Sequence, residues 1–323
     1  MERLKRTEKN TLTERVLQFG EGNFLRGFVD WMIDKLNKEN GGDYGVTIVQ
    51  PLAGGLVDKL NAQDGRYSLY LRGLLKGEKV EETRIVDCVT RGINPYTNTD
   101  EFFDCAKNPD LRFIVSNTTE AGIEYKPNQN PDDFNGLTFP GRLTLFMKKR
   151  FDEGLGGFIL LPCELIDKNG DNLKECILKY SEDWGYGVEF EKWIETENHF
   201  TNTLVDRIVT GYPRDNAKEM EQSYGYLDDM IDTAEIFHLW VIEGDKKLAE
   251  EIPFHKIGLN VLWTDDVTPY KKRKVRILNG AHTMTVLAAH LAGLETVKDA
   301  MDDELVFTFM KQGIFEEIIP TLD

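Results

Sequence analysis

Arg15-Val16-Leu17-Gln18-Phe19-Gly20-Glu21-Gly22-Asn23-Phe24-Leu25-Arg26-Gly27-Phe28 is the stretch on which the fold turns. Residues 15–19 are a short strand candidate. From Phe28 the apolar positions 28, 29, 32, 33 and 36 recur with helical period. A strand, a glycine turn and a helix open a dinucleotide-binding βαβ unit: the glycines let the backbone approach a pyrophosphate, and the helix start offers unpaired N–H groups and a partial positive charge. The spacing is Gly-x-Gly-x4-Gly, not Gly-x-Gly-x2-Gly. The same residues also suit a plain strand-to-helix turn, so the neighbouring strand and helix carry the cofactor reading. On that reading Phe19, Gly20, Glu21, Gly22, Asn23 and Phe24 line the cofactor.

The rest of the first two hundred residues repeats the theme. Val46–Gln50 is the second strand, and Gln50 stands where an NAD site usually presents an Asp or Glu to the ribose. Gln50 can hydrogen-bond a diol but does not repel a 2′-phosphate, and no Arg is adjacent. NAD and NADP both stay open, with NAD favoured. Further strands are expected at Tyr67–Arg72, Glu82–Val89, Leu111–Asn117 and Gly157–Glu164, with an amphipathic helix over Arg142–Phe151. Thr118-Thr119-Glu120 follows the strand 111–117, at the edge where open α/β sheets bind ligands. These residues either contribute to the cofactor site or simply cap the next turn. From Thr201 to Val209 the chain is expected to be helical, and a domain boundary is placed near 222. Phe237–Ile242 reads as a strand and Pro269–Ala292 as a long helix, with helices to the end. The fold expected is α/β: a Rossmann-like, mainly parallel sheet domain over 1–222 and a mainly α-helical substrate domain over 223–323.

Composition narrows the function. The 323 residues carry a net charge of −17, which disfavours nucleic acid as a partner. No apolar run approaches the ~18–20 residues of a membrane span, and the charged N-terminus has no signal-like segment, so a cytoplasmic setting is expected. Cys88, Cys105, Cys163 and Cys176 are too far apart for a zinc knuckle or a disulfide framework, and no His pair has metal spacing. No metal is expected.

The second stretch of interest is Lys274-Val275-Arg276-Ile277-Leu278-Asn279-Gly280-Ala281-His282. On α-helical geometry His282 lies about 80° and Asn279 about 140° round from Lys274, so all three share one side. An amine, an amide and an imidazole so placed can move a proton and polarise an oxygen, though a solvated polar face has the same pattern. Five of the six residues Lys271–Arg276 are cationic. Such a run is either a solvated face or an anion pocket for an acidic substrate. Crowded cations also disfavour one more charge, which favours an uncharged Lys274 able to act as a base.

Taken together, Gln18–Arg26, Ser116–Glu120, Phe200–Val209, Asp266–Tyr270 and the Lys274/Asn279/His282 helix resemble the long-chain mannitol dehydrogenase family, in five motifs in the same order. Gly20–Arg26 with Leu161-Pro162-Cys163-Glu164-Leu165-Ile166 resembles in particular the branch that interconverts D-tagaturonate and D-altronate. The resemblance implies metal-free, NAD-linked hydride transfer between a secondary alcohol and a ketone, on a small sugar acid. It implies Lys274 as general acid/base, Asn279 on the reacting oxygen, His282 as orienting group, and a pyrophosphate on Gly20, Gly22, Asn23 and Phe24. Lys271 and Arg273 suit a uronate carboxylate. Polyol members usually carry Asp-Asn where this chain has Glu164-Leu165. Members usually continue beyond residue 323, so the helical domain is expected to be partial.

Overall fold

The computed structural model describes residues 1–75, 77–119 and 121–322. Twelve strands and a set of helices form two compact units, residues 1–265 and 266–323.

The centre of the first unit is a six-stranded sheet. Its strands are β1 (Glu14–Phe19), β2 (Gly45–Val49), β5 (Val89–Ile93), β6 (Phe113–Ser116), β7 (Ile159–Pro162) and β8 (His199–Phe200). They lie in the order β5-β2-β1-β6-β7-β8, and every pair is parallel. Renumbered within the sheet, this is 3-2-1-4-5-6, the Rossmann order, whose strand direction of growth reverses between β1 and β6. Parallel strands need both faces covered, and the sequence supplies two apolar faces. Val16, Ile48, Val115 and Leu161 go into one layer, whereas Leu17, Val49, Ile114 and Leu160 go into the other. Strand period 2 makes this division automatic for continuous apolar runs.

Two small sheets complete the unit. In one, β3 (Tyr67–Leu75) forms a hairpin with β4 (Glu78–Val86) and pairs in parallel with β10 (Asp232–Glu235). In the other, β11 (Leu239–Glu243) lies between β9 (Asn202–Asp206) and β12 (Val261–Thr264).

Three expectations are corrected by the fold. Residues 201–209 hold a strand rather than a helix: Asn202–Asp206 pairs antiparallel with Leu239–Glu243, and Thr203 and Val205 suit a pleated surface. The expected strand 82–89 is two strands, broken at Asp87–Cys88. The boundary near 222 falls inside the helix Ala217–Tyr224, and the units divide at 265/266. The physical reason is pairing. β10 and β11 return to β3 and β9, so residues 223–265 belong to the first unit's sheets. Trp240 seals this, fully buried against Phe28 of the first helical run (centroids 5.6 Å) and Phe254 (6.1 Å).

The second unit is all helical: Thr268–Arg273, Lys274–Asn279 and Gly280–Leu291 form one continuous run, followed by Val297–Asp302 and Glu304–Gln312. No helix among the described residues is long and apolar enough to cross a membrane.

Trp240→Ala is expected to cost about 3–5 kcal/mol. Urea denaturation followed by far-UV signal should show the loss in the unit that carries the glycine turn. An unchanged midpoint there would contradict the division at 265/266.

Candidate functional site

At the end of β1 the chain must reverse into a helix without filling the space in front of it. Gly20 does this at φ +127°, with its N–H on the Val49 carbonyl (3.0 Å). A Cβ there would be strained by the backbone shape and would sit tightly, 3.2 Å from Leu25 and 3.3 Å from the Asn117 carbonyl. Gly22 is the opposite case: it is exposed, and a Cβ would meet nothing within 4 Å. It begins an unbroken helical run, Asn23–Leu25, Arg26–Asp30 and Trp31–Asn40, with no side-chain cap and no acid in the first turn. An uncapped helix start beside open space, at the sheet's switch point, could hold a pyrophosphate. The residues present fit a dinucleotide.

The glycine turn is held from below by a buried polar cluster. Arg26, 1% exposed, donates from Nε to the Glu21 carbonyl (3.0 Å), from Nη1 to the Met230 carbonyl (2.6 Å) and from Nη2 to Asn23 Oδ1 (2.8 Å). Tyr67 OH donates to the Arg26 carbonyl (2.9 Å) and lies within hydrogen-bond distance of Asp30 Oδ2 (3.1 Å). Arg207 lies over Trp31 (4.0 Å) and donates to the Gly27 carbonyl (2.8 Å). Burial pushes the Asp30 carboxyl up to about 7 and the Asp232 carboxyl up to about 6. Asp30 Oδ1 and Asp232 Oδ2 have no hydrogen-bond partner among the described residues.

The expected cofactor residues fare differently. Gly20 and Gly22 shape the cradle. Phe24 is half-buried and stacks on Phe28 (5.0 Å, 24°). Asn23 serves Arg26, and Gly211 packs over its amide. The Phe19 ring is in the core against Phe139 (5.0 Å) and Phe102 (6.0 Å), which leaves only its backbone at the turn. Glu21 is buried, its carboxyl raised by that burial. The Gln50 amide is occupied by its own loop, donating to the Leu52 (2.8 Å) and Ala53 (3.1 Å) carbonyls and accepting from Val57 N–H (3.3 Å). Thr118 gives both its N–H and its hydroxyl to Glu164 Oε1 (2.9 Å each), and Thr119 has φ +82°. Glu120 lies outside the described residues.

Glu164, part of the Leu161–Ile166 motif and a departure from the polyol pattern, has no site role assigned from the sequence. It is 2% exposed and also accepts from Ser116 Oγ (3.0 Å). It therefore ties the ends of β6 and β7 together at the ligand edge, and burial raises its carboxyl. The signal was available: an acid placed directly after a continuous apolar strand. Asp30, Asp232 and Arg207 gave no comparable signal.

In the second unit, Lys274–Asn279 is π-helical, with the Gly280 N–H reaching the Val275 carbonyl, five residues back. The angles expected for a regular α-helix therefore need correction. One extra residue in the turn takes back roughly 100°, leaving Asn279 about 40° and His282 about 20° from Lys274. The wide turn aligns the three better than a regular helix would. Asn279 and His282 are exposed, and Lys271 and Arg273 lie in the turn before. This unit also holds a cavity of about 570 Å³ lined by Leu278, Ala281, His282, Met301, Met310 and Ile314 among others. Its walls are mostly apolar, and the cationic run is not among them. No group of His, Cys, Asp or Glu among the described residues could hold a metal ion, and the four cysteines are buried and free.

A six-stranded Rossmann sheet with an open glycine turn, joined to a helical unit, defines the class of two-part dinucleotide-binding proteins. The mannitol dehydrogenase Rossmann domain matches residues 14–256, and the mannitol dehydrogenase C-terminal domain matches residues 266–323. The chain belongs to the mannitol dehydrogenase family. It is 49% identical over 315 residues to the altronate oxidoreductases of Cronobacter sakazakii and of Shigella flexneri, which covers 96% of this chain. It spans 65% of the length of those curated relatives. Among solved structures, a substrate-free D-sorbitol dehydrogenase superposes with a TM-score of 0.82 at 25% identity, covering 97% of this chain and 66% of that one. The Pseudomonas fluorescens mannitol 2-dehydrogenase, in a ternary complex with NAD and D-mannitol, shares the fold at a TM-score of 0.78 and 22% identity, over 97% of this chain and 65% of that one.

Asp30 has a folded-state value near 7 against an ordinary 3.8. Its contribution to stability is full below the ordinary value and is lost as pH rises through about 7. Asp30→Asn removes that loss. The melting temperature of the variant, minus that of the wild type, should increase as pH is raised from about 5 to 8. A difference that is flat or falling would contradict a protonated Asp30.

Proposed function

We propose that this protein is an NAD-dependent oxidoreductase that interconverts D-tagaturonate and D-altronate. The observation that carries the reading is the 49% identity to altronate oxidoreductases over 96% of the chain. The glycine cradle and the aligned Lys274, Asn279 and His282 support it.

In the first unit, the unpaired N–H groups at Gly22, Asn23 and Phe24 hold the pyrophosphate, with the helix dipole behind them. The bound nicotinamide supplies the hydride acceptor or donor. In the second unit, Lys274 takes the proton of the carbinol oxygen in oxidation and returns it to the ketone oxygen in reduction. The Asn279 amide donates to that oxygen as charge develops on it. His282 orients the substrate or the lysine.

The charge distribution favours an acidic substrate over a neutral polyol. Residues 266–323 contain seven Lys and Arg, and five of them fall in Lys271–Arg276. Lys271 and Arg273 are assigned to the carboxylate, which a run this focused can attract within an acidic chain. Fructuronate reduction is the nearest second reading and uses the same cations.

Steady-state assays with NADH and tagaturonate, fructuronate or fructose separate these cases. Tagaturonate is expected to have the highest kcat/KM, and a preference for neutral fructose would refute the acid assignment. Lys274→Ala should lower kcat by about 10²–10⁴ with NADH affinity little changed. Full activity in that variant would remove Lys274 from its role.

A further inference from the structure

The end of β2 is where a fold of this type usually presents an acid to the adenine ribose. Here the position is Gln50, and both ends of its amide are already bonded to residues 52–57. Residues 51–57 contain no charged side chain at all. A carboxylate nevertheless reaches this loop from another element. Glu21 sits between the two glycines of the turn, and its side chain crosses from the end of β1 to the loop after β2. Its Oε1 accepts from the Leu56 N–H (3.2 Å). A Cβ on Gly55 would lie 2.2 Å from the same oxygen, so Gly55 is the residue that leaves it room. Glu21, 7% exposed, thus links the glycine turn to the strand-end loop, the two places a dinucleotide's adenosine half must touch.

We propose that Glu21 is the residue that selects NAD over NADP. Its carboxylate does the work of the missing acid at the end of β2, accepting from the ribose 2′-hydroxyl and repelling a 2′-phosphate. The inference rests on the reading of this chain as a nicotinamide-linked protein. Its physics is simple: a diol can donate to a carboxylate, whereas a phosphate brought beside it adds like charge in a partly dry crevice. Gln50 then has a different task, which is to hold the loop so that Leu56 and Gly55 receive the carboxylate. A neutral residue suffices there because the charge comes from the turn.

The test is calorimetric titration of the 323-residue chain with NADH and with NADPH. Wild type should bind NADH more tightly. Glu21→Gln keeps the shape and can still accept from the Leu56 N–H, but it loses the charge. It should narrow the preference by about tenfold or more, chiefly by strengthening NADPH. Gly55→Ala, whose methyl would lie 2.2 Å from Glu21 Oε1 and 2.5 Å from the Gln50 amide, displaces the carboxylate together with the loop that receives it, should narrow it too and serves as the second variant if Glu21→Gln does not fold. A wild type with equal affinities, or variants that bind NADH and keep the original preference, would overturn the role of Glu21 while leaving the nicotinamide reading intact. A wild type that binds neither dinucleotide would sink that reading itself.

Discussion

Everything in the first unit depends on leaving a helix start unpaired. An orphan N–H group is costly when buried and easily satisfied by water or a side chain when exposed. To keep it available for a ligand, the chain must avoid a capping side chain, avoid an acid in the first turn, and still fix the helix against the sheet. Gly22 meets the first need and the sequence Asn23-Phe24-Leu25 the second. The third falls to Arg26. Its guanidinium binds the Glu21 carbonyl, the Asn23 side chain and the Met230 carbonyl. The buried carboxyls of Asp30 and Asp232 sit near it, and burial shifts both toward the neutral form. When such an acid is protonated, it imposes a smaller desolvation burden beside a buried cation than a full ion pair does, though it holds the turn less tightly.

A second constraint is the phase of the helices. π-helical turns occur at Arg26–Asp30, at Lys274–Asn279 and at Gly313–Ile318 among the described residues. Each adds a residue to one turn and rotates the helix beyond it. At Arg26–Asp30 all five residues are buried, including two with ionisable side chains, and the burial continues on every face through Asp34 of the regular helix that follows. At Lys274–Asn279 the same device draws an amine and an amide five residues apart toward one line. Wide turns are less stable than regular ones, so their presence at both proposed ligand-binding elements is consistent with their holding functional groups rather than merely filling space.

These facts also explain what could be read from the sequence. Four of the six parallel strands, β1, β2, β6 and β7, are legible as continuous apolar runs, the first marked by the glycine turn, whereas β5 (Val89-Thr90-Arg91-Gly92-Ile93) carries polar residues and β8 is only two residues long. Lys274, Asn279 and His282 were legible as a group because a spacing survives small errors in angle. The angle itself was not, since nothing in Lys-x4-Asn announces an i→i+5 bond. Asn202–Asp206 was misread because its strand state is imposed by Leu239–Glu243, more than thirty residues away in sequence. The boundary near 222 rests on the break at Thr210–Pro213 and the charged stretch 215–222, which the structure shows to be a loop and a helix within the first unit. Which side chain faces the loop after β2 is not written in the spacing: the Gln50 amide is held by its own loop, and the Glu21 carboxyl reaches that loop from the turn.

On the proposed reading the two ligands are both anions and the protein carries −17, so each needs its own local correction. The corrections differ in kind. The pyrophosphate is met by neutral dipoles, N–H groups at a helix start, with the nearest guanidinium buried beneath the turn. The sugar acid is met by formal charges crowded into Lys271–Arg276. Dipoles act over one turn of helix and lose little to salt when the ligand covers them, whereas exposed cations act at longer range and are screened within about 8–10 Å at ordinary ionic strength. Substrate capture should therefore weaken with salt more steeply than dinucleotide binding, because the two units handle charge by different physics.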